Sequence, residues 1–387
     1  MADALQGIRV VDFTTTIAGP HCTRLMADLG AEVIKIEAAD GDMMRTRPPL
    51  RSGASGMFAH LNAGKKSVAL DLKNPAAVAA VRRLIATADM VVENYRPGVT
   101  KRLGLDYESL RKIKPDLIYV AISGYGQDGP GADRPAYAPV VHAAAGFDVA
   151  HLTYQEGQRT KPDFNGIFVA DFQAGAYAFG AAMAALVQRK TTGEGQFVDV
   201  AMMDGMLHLL MSEFQRAQNP IEVSSRPMFG PVLAKDGHII IATASERTFT
   251  DLVKASGRVD LLTDPRFEKY ADRRLKWAEF MDEIEAWSGT KTIAELIPIL
   301  EAHSVPCSPY RTVKEAMSDD QARHRGIVEM VRDAGGEVGV PNPPFRLSAS
   351  GARARDVPAS LGQHTAEVLR AAGLDDSDIA ALTGAKA

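Results

Sequence analysis

The sequence predicts an α/β protein built on a doubly wound parallel sheet. Short β-branched runs alternate with helix-like segments through the first third of the chain. The first of those helices is framed by Pro20 near its start and Gly30 at its stop, so the runs on either side form a βαβ unit with parallel strands and a right-handed crossover. The 387 residues are 46% hydrophobic, enough for a large core with a second, smaller domain beside it.

Residues 8–13 and 32–37 are the first two strands, flanking a helix over 20–29. A strand follows at 67–72, then a helix at 75–87, a strand at 90–94, a short helix at 107–112 and a strand at 117–123. Ligands of such sheets bind beyond the C-terminal ends of the strands, which directs attention to loops 14–19, 38–49, 94–98 and 124–137. Residues 167–170 read as a short buried apolar piece ending at Asp171, and 174–190 as a helix with Ala and Gly on every face, which predicts close neighbours on all sides. Asp171 falls at the helix N-terminus, an N-cap position, where an acid serves as a cap or as a reactive carboxylate. A strand at 196–200 and a helix at 203–215 come next. Residues 1–226 make the first part of the large domain with its linker. A small α+β domain is expected over 227–320, beginning at Pro227, with a strand at 237–242 and helices at 247–256, 274–288 and 291–303. Residues 321–387 supply a linker and the C-terminal return, closing on a helix at 366–372.

Composition narrows the function. Lys and Arg total 44 against 48 Asp and Glu, a net of -4 with no long run of one sign, so neither nucleic acid nor a membrane surface is an expected partner. Cys22 and Cys307 are far apart, and the nine histidines form no H-E-x-x-H cluster, so no metal is expected. The N-terminus lacks a signal-peptide pattern, and no apolar stretch of about 18 residues runs uninterrupted. A cytoplasmic protein is the expectation. The turn after the first strand, 14–20 (TTTIAGP), has one glycine where the dinucleotide fingerprint needs three, although Glu37 sits where a ribose-binding acid would. Neither a P-loop nor a G-x-S-x-G elbow occurs.

A set of ordered motifs runs nearly the length of the chain: Val11-Asp12-Phe13, Ala18-Gly19-Pro20, 29–37 (LGAEVIKIE), Gly41-Asp42, Asn62 with Lys65-Lys66-Ser67, Leu70-Asp71-Leu72-Lys73, 92–98 (VENYRPG), 193–196 (GEGQ) and 361–365 (LGQHT). In these the chain resembles the class III coenzyme A transferases of the CaiB/BaiF family, which include formyl-CoA transferase and are related to the α-methylacyl-CoA racemases. The resemblance implies a Rossmann-like large domain built from both chain ends, a small α+β domain and an interlocked homodimer. It implies coenzyme A, as acyl-CoA substrate and product, with a carboxylic acid as the other partner. Asp171 takes the nucleophile's position, forming an aspartyl-acyl anhydride and then an aspartyl-CoA thioester. Ile17, Ala18, Leu70, Asp71, Leu72, Lys73, Asn94, Tyr95, Arg96, Arg102 and Tyr137 take CoA-binding positions, with Arg102 the main phosphate ligand and Lys101 adding positive potential.

The chain also departs from the family pattern. Ala38 replaces an arginine and Ile17 a glutamine of formyl-CoA transferase, which shifts the expected hold on the adenine to Arg45 or Arg47. At 228–231 (MFGP) it is shorter than the glycine-rich gate of formyl-CoA transferase, pointing to a substrate other than oxalate. Tyr137 stands where the racemases carry their histidine base and the transferases a tyrosine. Two alternatives remain at this point: racemase-type proton exchange with His142 as base, and a non-catalytic CoA-binding protein.

Overall fold

The computed structural model describes residues 3–155, 160–163, 165–222, 224, 226, 228–243, 245–355 and 357–383. It divides into two compact units. The first comprises Met1–Ala145, Gly166–Leu209 and Asp320–Ala387, and the second Gly146–Asn165 and Leu210–Asp319.

The first unit is a doubly wound sheet. Strands β1 (Arg9–Asp12) and β2 (Glu32–Glu37) flank helix α1 (Ala18–Asp28). After a small hairpin of β3 (Leu50–Arg51) and β4 (Ala54–Ser55) come α2 (Gly56–Asn62), β5 (Lys66–Ala69), α3 (Pro75–Ile85) and β6 (Met90–Glu93). Helices α4 (Val99–Leu103) and α5 (Tyr107–Leu110) lead to β7 (Ile118–Ser123), followed by α6 (Ala138–Ala144). The chain passes through α7 (Phe147–Thr153) of the second unit, then returns with α8 (Val169–Thr192), β8 (Phe197–Ala201) and α9 (Met202–Leu209). Six strands pair in the order β5-β2-β1-β6-β7-β8, every neighbour parallel. In chain order this is third, second, first, fourth, fifth, sixth, the dinucleotide-fold sequence with its switch point between β1 and β6. Met90–Glu93 and Ile118–Ser123 are buried along their whole length, as strands covered on both faces must be.

Local signals set several boundaries. Gly30, at φ +92, ends α1 in the left-handed conformation that a side chain resists. Asn74 caps α3 by accepting from the Ala76 N–H, with Pro75 at the first helical position. The free edge of β5 is covered by the C-terminal segment. The Thr365 hydroxyl accepts the Ala69 N–H (3.0 Å), and the Ser67 hydroxyl accepts the Gly362 N–H (2.9 Å).

Two expectations about the Asp171 region change. Residues 167–170 are not a buried strand-like piece: Ile167 is 62% exposed, and α8 has already begun at Val169. Asp171 is therefore the third helical residue, and the N-cap is Phe168, which makes no side-chain cap. Nor is α8 packed on all sides within the chain. Ala170, Ala174, Gly175, Ala178, Ala182 and Ala185 form one buried stripe, while Tyr177 and Val187 are exposed.

In the second unit, α10 (Met211–Gln218) precedes an antiparallel sheet of β9 (Pro231–Ala234), β10 (Gly237–Ile241) and β11 (Cys307–Pro309) in the order β11-β10-β9. Helices α11 (Glu246–Ala255), α12 (Tyr270–Leu275), α13 (Trp277–Ser288) and α14 (Ile293–Ala302) belong to it. Its core gathers Ile239, Phe249, Phe267, Trp277, Phe280 and Leu296. The unit is larger than the 227–320 span read from the sequence. Leu210 (φ -79, ψ 46) leaves the helical region and breaks the expected 203–215 helix in two, and the Tyr154 hydroxyl beyond α7 bonds to Glu213 and Arg216 of α10. Pro227, the expected opening of the small domain, lies outside the described residues. Among the described residues no helix is long and apolar enough to cross a membrane.

Candidate active site

At the C-terminal ends of β1, β6 and β7 lies a cavity of about 240 Å³. Thr15, Thr16 and Ala18 line it from the first loop, Asn94 to Pro97 from the second, and Gly124 to Tyr137 in part from the third, with Asp171 of α8 among them. Three of the four loops singled out in the sequence thus meet here. The fourth, 38–49, folds into a 3-10 turn whose Asp42 accepts the Thr16 N–H (3.3 Å) from outside the cavity lining.

Asp171 is the acid of this cavity, half-buried in its wall. Burial pushes its carboxyl pKa up from 3.8 to about 6, opposed by the Ala18 backbone N–H, which donates to it. That donor exists because α1 starts open. Ile17 offers no side-chain cap, so the first N–H groups of the helix face outward for a neighbour to use. The preceding turn is under backbone strain: Thr16 sits at φ 70, a left-handed conformation that β-branched residues avoid.

A dense bed of polar contacts holds the turn in that shape. Asn94 clamps Thr15 twice, accepting its N–H and donating to its carbonyl, both at 2.8 Å. Lys35 donates to the Thr14 carbonyl (2.6 Å) and pairs with Asp42 (3.0 Å). Asp12 accepts both the N–H and the hydroxyl of Thr14, and the Thr23 hydroxyl. Buried Lys65 donates to Asp12, Thr23, Asn62 and the Pro20 carbonyl. Burial lowers the Lys65 pKa to about 8, against the pull of Asp12. Each member of this bed is paired, which a buried charge requires.

The structure separates the remaining sequence candidates. Ala18, Asn94, Tyr95, Arg96 and Tyr137 line the cavity with Asp171. Tyr137 is 63% exposed there, and burial raises the Tyr95 hydroxyl to about 12. The Ile17 side chain instead packs with Met44, Phe58 and Leu61, so only its backbone belongs to the turn. Leu70 is a core residue and Leu72 packs against the core, whereas Asp71 and Lys73 are exposed, with Asp71 accepting the Lys73 N–H (2.9 Å). That segment follows the edge strand β5 and is not part of the cavity lining. Arg102 is exposed on α4, also outside the lining, and carries no ion pair among the described residues.

Arg45 corrects an expectation. Its guanidinium grips Glu37 at 2.6 and 2.8 Å, donates to the Ala359 carbonyl and lies over the Phe58 ring, so it is committed within the chain rather than free to hold the adenine. Glu37 is equally committed, accepting also from Ser67 and the Asp42 N–H. Tertiary pairing decided both, and no local pattern announces it. His142 is buried, and its Nε2 accepts the Ala170 N–H (3.1 Å), so this ring caps α8 at the residue before Asp171. Sequence reading passed over Thr16, Arg134 and Gly175. Arg134 lines the cavity and, like Arg96, makes no ion pair among the described residues.

A larger cavity, about 390 Å³, lies within the second unit and includes Met228 and Phe229 of the expected gate. Its arginines are engaged, Arg226 with Glu285 (2.7 Å), Arg274 with the Glu222 carbonyl and Arg216 with the Tyr154 hydroxyl. Among the described residues no carboxylate, histidine or cysteine lines it. No group of three or more His, Cys, Asp or Glu suited to a metal occurs among the described residues.

Comparison with known proteins bears on the whole chain. The family model for CoA-transferase family III matches residues 5–365. Mouse succinyl-CoA:glutarate CoA-transferase is 32% identical over 378 residues, covering 95% of this chain and 86% of the mouse protein. Succinyl-CoA–D-citramalate CoA-transferase of Chloroflexus aurantiacus is 34% identical over 391 residues, covering 98% and 96%. Among solved structures, a CaiB/BaiF family protein from Brucella suis superposes with a TM-score of 0.81 at 30% identity, covering 96% of this chain and all of the other. The Rv3272 protein of Mycobacterium tuberculosis gives 0.84 at 32%, covering 94% and 98%. With the sheet order, the acid at the strand ends and these matches in agreement, the chain belongs to the family III CoA-transferases and is an enzyme of that class.

Proposed function

We propose that this enzyme moves CoA between carboxylic acids through covalent intermediates on Asp171. The observation that carries the reading is the Asp171 carboxyl, half-buried in a cavity beyond the sheet and accepting the N–H of Ala18 at the open start of α1. A carboxylate is the right nucleophile for an exchange between acids, because every intermediate is then an anhydride or a thioester and the acyl group stays activated at each step.

In the first half, an Asp171 oxygen attacks the thioester carbonyl carbon of the acyl-CoA. The carbon–sulfur bond breaks, and the CoA thiolate leaves with its electron pair. The thiolate then attacks the aspartyl carbonyl of the anhydride, releasing the first acid as its carboxylate and leaving an aspartyl-CoA thioester. In the second half, the acceptor carboxylate attacks that thioester and expels the thiolate. The thiolate finally attacks the acceptor's acyl carbonyl in the new anhydride, forming the product thioester and freeing Asp171. No net proton is consumed. The Ala18 N–H favours negative charge on the Asp171 oxygens throughout.

Acyl-CoA and a dicarboxylic acid are the proposed substrates. The mouse and Chloroflexus relatives are named for succinyl-CoA with glutarate or citramalate, and Arg96 and Arg134 line this cavity without ion pairs among the described residues. Such guanidiniums suit a second carboxylate or a CoA phosphate. Proton exchange of the racemase kind is disfavoured, because the His142 Nε2 is occupied by the Ala170 N–H.

The test pairs a substrate screen with one variant. Succinyl-CoA is offered to a panel of mono- and dicarboxylates and products are read by mass spectrometry. The wild type should exchange CoA and, after hydroxylamine quenching, carry a hydroxamate on Asp171. Asp171→Ala should lose at least about 1,000-fold in kcat, since an absent nucleophile leaves only binding contributions. Deuterium wash-in at the α-carbon without an adduct would instead establish the racemase chemistry.

A further inference from the structure

One turn after Asp171 on the same face of α8 stands Gly175, where the helix meets the start of α1. A Cβ added there would lie 2.5 Å from the Ala18 carbonyl oxygen and 3.0 Å from the His21 ring. The first obstacle is backbone and cannot rotate away. Around this point the two helices are drawn together: the Phe172 ring packs against His21 at 4.8 Å, and Phe168 and Phe172 join the cluster containing Ile17. The residue whose carbonyl would collide with a methyl at 175 is the one whose N–H donates to Asp171.

We propose that Gly175 is a positioning residue for CoA transfer. By carrying no Cβ, it lets the first turn of α1 approach α8 closely enough to set the Ala18 N–H against the Asp171 carboxylate. The proposal rests on Asp171 as the nucleophile and adds what fixes its hydrogen-bond donor. Gly175 is not explained by helix propensity, which disfavours glycine in a helix interior. Gly180, in the same helix, meets nothing within 4 Å and supplies the control.

Relieving the 2.5 Å contact means moving the α1 turn by about 1 Å, a displacement that costs on the order of 100-fold in rate when it misplaces a reacting array. Gly175→Ala should therefore lower kcat by about 30- to 100-fold with KM for acyl-CoA changed less than about threefold. The acidic limb of the kcat/KM profile should move above its wild-type position, because the N–H that opposes the burial of Asp171 is lost. A residue that served stability alone would leave that limb in place. Gly180→Ala should keep both the rate and the limb.

An amide-to-ester replacement at Ala18, with lactate in place of alanine, deletes the same N–H without a clash. It should reproduce the shifted limb even if Gly175→Ala fails to fold. Wild-type kcat in folded Gly175→Ala, or an unmoved limb in either variant, overturns the proposal. A wild-type enzyme that never acquires a label on Asp171 would instead overturn the nucleophile assignment beneath it.

Discussion

At the scale of single residues, the role proposed for Asp171 sets reactivity against stability. Its carboxyl pKa is about 6 in the folded protein against an ordinary 3.8, so folding disfavours the ionised form. Below pH 4 the group is neutral in both states and costs nothing. As pH rises from 4 to 6 the unfolded chain ionises first, stability falls, and above 6 the full cost stays in place. Asp171→Asn should accordingly be more stable than wild type at pH 8, by up to about 3 kcal/mol, with the gain gone below pH 4. Denaturant midpoints across that range measure it, and equal midpoints at pH 8 would show that burial does not strain the acid. If Asp171 is the nucleophile, as proposed, the same pKa places the acidic limb of kcat/KM near pH 6, since that attack needs the carboxylate. Asn94, expected from the resemblance to contact CoA, has both ends of its amide spent on the Thr15 backbone and so shapes the cavity turn.

At the scale of elements, much of the sheet was legible because strands buried on both faces are continuous apolar runs, and Met90–Glu93 and Ile118–Ser123 read as such. The start of α8 was not. Residues 167–170 are apolar without a period long enough to separate strand from helix, and what settles the matter is distant: His142 accepts the Ala170 N–H from another helix. The Leu210 break hid for a similar reason, since hydrophobic spacing continues across it. In the site, Asp171 stood out as an acid in apolar company, whereas the commitment of Arg45 to Glu37 depends on a pairing between strand and loop that no spacing reveals. Edge protection offers a test at this scale. The 362–365 turn covers β5, and the Thr365 hydroxyl is the acceptor for the Ala69 N–H. Thr365→Val keeps the shape and removes the acceptor, so it should cost about 1–2 kcal/mol. Amide exchange at Ala69 should accelerate by about tenfold or more, and unchanged exchange would show that the edge is held by the other contacts alone.

At the scale of the whole molecule, the order of the chain matters as much as its contacts. It leaves the first unit after Ala145, returns at Gly166, leaves again after Leu209 and returns at Asp320, so each unit is assembled from separated segments. On α8, whose other stripe is buried, Tyr177 and Val187 remain exposed at 42% and 67%, and Leu209, Met211 and Phe214 are exposed in the segment that follows. We propose that a second copy of the chain covers such exposed apolar residues in the interlocked homodimer expected from the family resemblance. Interlocking differs from ordinary association in kinetics. Two side-by-side subunits exchange partners on dilution, but linked subunits cannot separate until one of them opens. The expected particle is twice 41.6 kDa by light scattering. When tagged and untagged dimers are mixed under native conditions, no mixed dimer should form over days, whereas unfolding and refolding the mixture should give mixed dimers at the statistical ratio. Rapid native exchange would show a separable dimer, and a 41.6 kDa particle would remove the dimer altogether.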